Sequence, residues 1–261
     1  MSIIIALFLG LIQGLTEFLP ISSSGHLMLF EGLLGLKGSN IFFNLILHFA
    51  TLLAVVIVFW KDVIELIKHP FGEKMRKIVV ATIPTVILAL IVKFAIDEFT
   101  MVVFLGYGFL VSAVVIFTTF MLQKKQNLLI NKNISYKQSF IIGLVQGFAV
   151  LPGISRSGST ICAGLLQGVD REECAKFSFL ISIPVILGGV IFETADGFLN
   201  GFGNVLALPS IIGFLVAFIV ALFTIKLMMR VVKKGNWLIF AIYLFVLAGF
   251  VLLNQYVLCL F

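Results

Sequence analysis

Apolar positions run through this chain in long blocks, and polar positions are confined to the seams between them. Residues 3–19 form an apolar run broken by Gly10, Gln13, Gly14 and Glu17 and closed by Pro20. That is short for a membrane-crossing helix, which needs about 20 residues. The polar turn Ser22–Ser24 follows, and then a second short run from Leu27 to Leu36. Two short runs about a polar turn predict a re-entrant hairpin. Irregular backbone at membrane depth is tolerated only inside protein or along a wet cavity. Full spans are expected at 41–60, 78–95 and 101–122, with Pro84 kinking the second. The pattern then starts again. Residues 138–151 lead into Pro152, Gly153 and the turn Ser155–Thr160, and residues 161–169 return from it. Spans follow at 177–195, 210–229 and 237–258.

Loop charge sets the expected orientation. The polar loop 61–77 carries Lys61, Lys68, Lys74, Arg76 and Lys77, and loops 123–137, 170–176 and 226–236 are also basic. Basic loops belong on the cytoplasmic side, which puts 96–100 and 196–209 outside. The alternation holds only if each hairpin returns to the face it entered from. The first then enters from outside and the second from inside, with both termini outside. The expected fold is an all-α integral membrane protein with an inverted-topology repeat. Each half is a re-entrant helical hairpin followed by three transmembrane helices. The whole is one polytopic domain over 1–261, with repeat one at 1–122 and repeat two at 138–258. Such folds place their sites near the midplane, where the repeats meet.

Composition supports this reading: 61% of residues are hydrophobic and 11% charged, against about 25% charged in soluble domains. The net charge of +6 is accounted for by the loops, so no nucleic-acid partner is expected. Trp60 and Trp237 read as interface anchors at cytoplasmic span ends. Cys162, Cys174 and Cys259 form no CxxC pair and read as small buried side chains. No Lys or Arg precedes Lys37, so residues 1–30 are expected to belong to the fold and not to a signal peptide.

The two hairpins share a polar pattern. Gly10–Ser22 aligns without gaps on Gly143–Ser155, matching Gln13 with Gln146, Gly14 with Gly147, and Ser22, Ser24 and Gly25 with Ser155, Ser157 and Gly158. Gln13 and Glu17, four apart, share a helix face. A carboxylate at this depth is a functional candidate by default. It could ligate a divalent metal through oxygen, orient His26, or accept a proton. Ser22, Ser23, Ser24 and Gly25 precede a helix start, where free amides bind anions. His26 beside them could act as base, acid or nucleophile. In the second copy Arg156 replaces Ser23, Val150 replaces Glu17 and Ser159 replaces His26. An arginine buried in such a turn needs an anion, and its planar fork suits phosphate. Ser155, Ser157, Thr160 and the amides after Gly158 could complete a cradle. The first copy would then supply the reacting groups and the second the anion binding. The plainer alternative is a structural Arg156–Glu17 ion pair. His48 and Asn44, four apart on the first span, read as core hydrogen-bonding residues. His69, Glu193 and Asp196 read as solvated.

The stretches Gln13-x-x-x-Glu17-Phe-Leu-Pro-Ile-Ser-Ser-Ser-Gly-His26 and Pro152-Gly-Ile-Ser-Arg156-Ser-Gly-Ser-Thr160, with Phe177–Pro184, resemble the undecaprenyl-diphosphate phosphatase family, the bacitracin-resistance phosphatases of bacterial membranes. The resemblance covers nearly the whole chain. It implies hydrolysis of undecaprenyl diphosphate to the monophosphate and phosphate, recycling a cell-wall lipid carrier of the bacterial cytoplasmic membrane; the first hairpin, entering from outside, favours chemistry at the outer leaflet. The resemblance carries functional roles to Gln13, Glu17, Ser23, His26 and Arg156, with Ser22, Ser155 and Thr160 following. It also implies a divalent cation, Mg or Ca, near Glu17 and Gln13. Many relatives have Glu where Gln13 stands, and one carboxylate leaves less charge for a metal. The nucleophile stays open between Ser23 and His26. Expected partners are the polyprenyl diphosphate lipid and membrane lipids, with a homodimer as an open option.

Two rivals remain at this point. Inverted repeats with broken helices also build transporters, so a flippase of undecaprenyl phosphate could use the same anion site. Lipid phosphatases with a PSGH motif share parts of the two turns, but their Lys/Arg-Pro element and His–Asp pair are absent here.

Overall fold

The computed structural model describes residues 1–36, 41–96, 98–125, 131, 133–200 and 208–258; of 41, 98, 99, 124, 125, 196–200 and 258 it describes the backbone alone. Lys37, Asp97, Lys132, Cys259 and the Asp196 side chain therefore lie outside the described residues.

The chain folds into helices α1 (Ile3–Thr16), α2 (Ser23–Leu33), α3 (Ile41–Val58), α4 (Trp60–Lys68), α5 (Glu73–Ala95), α6 (Glu98–Lys125), α7 (Tyr136–Phe148), α8 (Arg156–Leu166), α9 (Arg171–Asn200), α10 (Leu208–Lys234) and α11 (Leu238–Leu253). A π-helical turn, Asn254–Leu258, extends α11. Among the described residues the one β feature is an isolated bridge between Asn131 and Val169. Helices α5, α6, α9, α10 and α11 are each long and apolar enough to cross a membrane. Helix α3 joins them if it is taken with α4, from which it bends by 83° at Phe59. The chain is an all-α, multi-pass membrane protein.

Several boundaries differ from those expected. Residues 61–77 are not one polar loop. They hold α4, whose Lys61, Glu65 and Lys68 are exposed while Leu66 is buried and Asp62 turns inward to pair with Lys74 and Lys176. They also hold the charged first turn of α5. Helices α5 and α9 begin at Glu73 and Arg171, because acidic residues suit a helix start. Arg156–Thr160 is likewise the first turn of α8, not a loop. Trp237 is no interface anchor: it is 3% exposed and packs in the core that includes Val232 and Ala241. Pro84 lies inside an unbroken α5.

The short helices are held by close backbone approach. Helix α1 packs on α10, where a Cβ at Gly10 would stand 2.6 Å from the Gly213 carbonyl oxygen. Helix α7 packs on α5, where a Cβ at Gly143 would strike the Ala81 backbone. Small residues permit such contact between helices in lipid. Thr85 fastens the second pair by reaching the carbonyls of Ala81 and Gly143, each at 2.8 Å. Gly143→Ala is expected to destabilise the protein by about 1–3 kcal/mol, read as a lower thermal midpoint in detergent. An unchanged midpoint would show that α5 and α7 can separate freely.

Candidate active site

The α1–α2 and α7–α8 turns meet in the interior. Ser157 Oγ donates to the Leu19 carbonyl at 3.1 Å, and Gly158 lies against Pro20. Each turn is tied off by its own cap. Ser22 Oγ accepts from the Gly25 amide and Ser155 Oγ from the Gly158 amide, at 3.3 and 3.1 Å. Ser22 has φ 69°, the one positive φ at a non-glycine among the described residues. Such a backbone is strained and clusters at functional sites. The second turn is anchored from α6: Ser112 Oγ accepts from the Ser155 amide at 2.8 Å and donates to the Gly153 carbonyl at 3.1 Å.

Between the turns lies a cavity of about 320 Å³. Its polar wall holds Glu17, Ser22, Ser23, Ser24, His48, Gln146, Ser155 and Arg156, and also Glu193, an exposed residue expected to be merely solvated. Leu45, Val150, Val185, Ile186 and Val190 form an apolar side. Glu17 is the hub and is 5% exposed. Its Oε1 takes a hydrogen bond and an ion pair from Arg156 Nη2. Its Oε2 accepts from the Ser23 hydroxyl and, at 3.0 Å, from Gln13 Nε2. The rest of the Arg156 fork has no protein partner among the described residues and lies on the cavity wall. The two helix starts converge here. The Ser23 and Ser24 amides of α2 and the Arg156 and Ser157 amides of α8 have no partner among the described residues. First-turn amides of this kind receive anions.

His48, expected to be a core residue, is on the cavity wall with its side chain 31% exposed. Its Nδ1 lies 2.9 Å from Gln13 Nε2 and 3.5 Å from Glu17 Oε2. Since Gln13 Nε2 can only donate, a neutral His48 accepts at Nδ1 and carries its proton on Nε2. The sequence signal was present in Asn44 and His48, a polar pair one helical turn apart on an apolar span.

His26 is placed differently from the expected juxtaposition with Glu17. It is 2% exposed and is not part of the cavity wall. Its Nδ1 lies 2.7 Å from the Ser22 carbonyl and its Nε2 lies 2.6 Å from the Tyr243 hydroxyl of α11. The carbonyl must accept, so Nδ1 carries the proton and Nε2 accepts from Tyr243. Neither ring nitrogen is left for Ser23, whose hydroxyl goes to Glu17 instead. His26 holds the strained Ser22 turn that aims Ser23. Ser157 and Thr160 are also turned away from the cavity. Ser157 bonds to Leu19, and Thr160 to the Arg156 carbonyl at 2.9 Å and Ser178 Oγ at 2.6 Å.

For a divalent cation, the donor set is incomplete. Among the described residues no three His, Cys, Asp or Glu side chains stand close enough to hold a metal. Gln13 is fully buried and off the cavity wall, and both Glu17 oxygens already accept. These residues do not fit a resident metal ion.

Residues 6–250 match the family described as bacitracin resistance protein BacA. The chain is 41% identical to the undecaprenyl-diphosphatase of Halothermothrix orenii, over 93% of this chain and 94% of that one. It is 39% identical to that of Methanosphaera stadtmanae over the same shares, and 36% to that of Carboxydothermus hydrogenoformans over 96% of each. With a family match over nearly its full length and relatives of this kind, the chain belongs to the bacitracin resistance protein BacA family.

Proposed function

We propose that this chain hydrolyses undecaprenyl diphosphate to undecaprenyl phosphate and phosphate, the activity after which its relatives are named. One observation carries the reading: a serine hydroxyl, a buried carboxylate and an arginine, drawn from two turns 139 residues apart, touch one another on a half-apolar cavity. Phosphoryl transfer is mainly positioning and charge stabilisation, and this cavity offers both. The Arg156 fork and the free amides of α2 and α8 hold the diphosphate. Ser23 Oγ attacks the terminal phosphorus and passes its proton to Glu17 Oε2. Undecaprenyl phosphate leaves, and water then releases phosphate from Ser23. The apolar wall receives the start of the prenyl chain. On this reading a Mg or Ca ion would arrive on the diphosphate itself rather than be held by the protein beforehand.

The inverted repeat belongs to the same proposal. In its support, Gly10 of α1 meets α10 while the matching Gly143 of α7 meets α5, and Ser22 and Ser155 cap their helices through matching amides. The basic loops favour both termini outside and a site reached from the outer face.

Purified protein in detergent, given undecaprenyl diphosphate with Mg or Ca, is expected to release phosphate. Movement of the lipid across vesicles with no phosphate release would sink the phosphatase reading and favour a flippase. His48→Ala is expected to lower kcat by about 10- to 100-fold, the cost of a loosened reacting group. It removes the neighbour that holds Gln13 and Glu17 in place. Wild-type kcat in this variant would remove His48 from the site.

A further inference from the structure

Helix α9 contributes Val185, Ile186, Gly189, Val190 and Glu193 to the cavity wall. Their spacing is that of one helix face. Four of the five carry side chains, and Gly189 leaves its place empty. A Cβ there would meet nothing within 4 Å. The glycines of the hairpins are different: a Cβ at Gly10, Gly14, Gly143 or Gly147 would strike a neighbouring helix. Gly189 also has no positive φ, so its backbone would accept any residue. A glycine inside a helix weakens it. Neither packing nor backbone geometry accounts for one here, whereas the space beside it does.

That space lies where the cavity wall meets the lipid-facing surface. Gly189 is exposed, and so is Val150, the wall residue that stands where Glu17 stands in the first repeat. Their exposed chain neighbours Phe148, Leu187 and Ile191 are apolar, as a surface among acyl chains requires. The other exposed wall residues, Ser24 and Glu193, are polar. We propose that Gly189 is a specificity-determining residue, and that the space it leaves on α9 seats the first isoprene units of the substrate as they pass from the phosphate site to the lipid. This rests on the reading that the cavity processes a polyprenyl diphosphate. A methyl-branched isoprene unit is wider than a straight acyl chain, and the missing side chain supplies that width beside Val185 and Val190.

Three variants test the proposal in detergent with undecaprenyl diphosphate and Mg or Ca: Gly189→Leu, Gly189→Ala and Gly188→Leu. Gly188 is the control, because a Cβ there also meets nothing within 4 Å, yet it lies off the cavity wall. Gly189→Leu is expected to raise KM about tenfold or more, the scale of a misfit in an apolar pocket. Its kcat should stay within about threefold of wild type, since binding is lost and not chemistry. Its thermal midpoint should equal or exceed that of wild type, because leucine favours the helix and strikes nothing. Gly189→Ala and Gly188→Leu should each keep KM within about threefold. A wild-type KM in Gly189→Leu would overturn the proposal, and so would a lowered midpoint, which would make Gly189 a packing residue. If Gly189→Ala loses as much as Gly189→Leu, the glycine serves bending of α9 rather than space. If Gly188→Leu loses as much, the effect belongs to the lipid-facing surface and not to the cavity. Each of these results leaves the phosphatase reading standing. A wild type that releases no phosphate removes that reading, and the isoprene seat with it.

Discussion

Arg156→Ala is expected to lower kcat/KM for undecaprenyl diphosphate by about 10³-fold or more, the range seen when an arginine is withdrawn from a phosphoryl-transfer site. Two losses combine. The substrate loses the one Lys or Arg on the cavity wall among the described residues. Glu17, buried and paired to Arg156, loses its counter-charge, and breaking a buried pair from one side costs about 3–5 kcal/mol. Arg156→Lys should recover little, because a point charge cannot hold the carboxylate and a phosphate through one planar fork. The stability loss is separable from the catalytic one. Arg156→Ala/Glu17→Gln should regain much of the thermal stability and none of the activity. If Arg156→Ala hydrolyses the lipid within a few-fold of wild type, the ion pair is structural and the anion site lies elsewhere.

Ser23→Ala is expected to remove activity more completely, by about 10⁴-fold or more, as the loss of a covalent nucleophile does. Ser23 is half-buried on the cavity wall and its hydroxyl is already aligned on Glu17 Oε2. The fold should tolerate the change, since the cap of α2 is Ser22 and not Ser23. His26→Ala should also be severe, but by a different route. It frees the Ser22 carbonyl and lets the turn relax, so a Ser23 phosphoenzyme should form slowly rather than fail to form. Phosphate release and acid-stable label, measured on both variants, distinguish the two. Label on Ser23→Ala would move the nucleophile to another residue.

The hairpins and their shared chemistry were legible because polar residues stand out in an apolar chain. Glu17, Ser23 and Arg156 were each visible as an anomaly, and the structure brings all three into contact. Spans were legible by length, but their ends were not. Glu73 and Arg171 look like loop residues, yet they begin helices that reach beyond the apolar blocks. Helix α4 was masked by its charges, because Lys61, Asp62, Glu65 and Lys68 interrupt the apolar Val63, Ile64, Leu66 and Ile67 and make the stretch read as a polar loop. What stayed hidden depends on contacts between distant elements. His48 joins the site because α3 packs beside α1, which puts residues 35 apart in contact. His26 turns from Glu17 to Tyr243, 217 positions away on α11. Ser112 gave no local hint that it would anchor the second turn.

The central claim is that the two turns form one phosphate-processing site, and a double-mutant cycle in phosphate release tests it most directly. Glu17→Gln, Arg156→Ala and the double variant are compared with wild type on undecaprenyl diphosphate. Residues that act as a unit are strongly non-additive, so the account predicts a double variant close to the worse single one. Losses that multiply, taking the double variant far below either single, would mean that Glu17 and Arg156 act independently, and would contradict it.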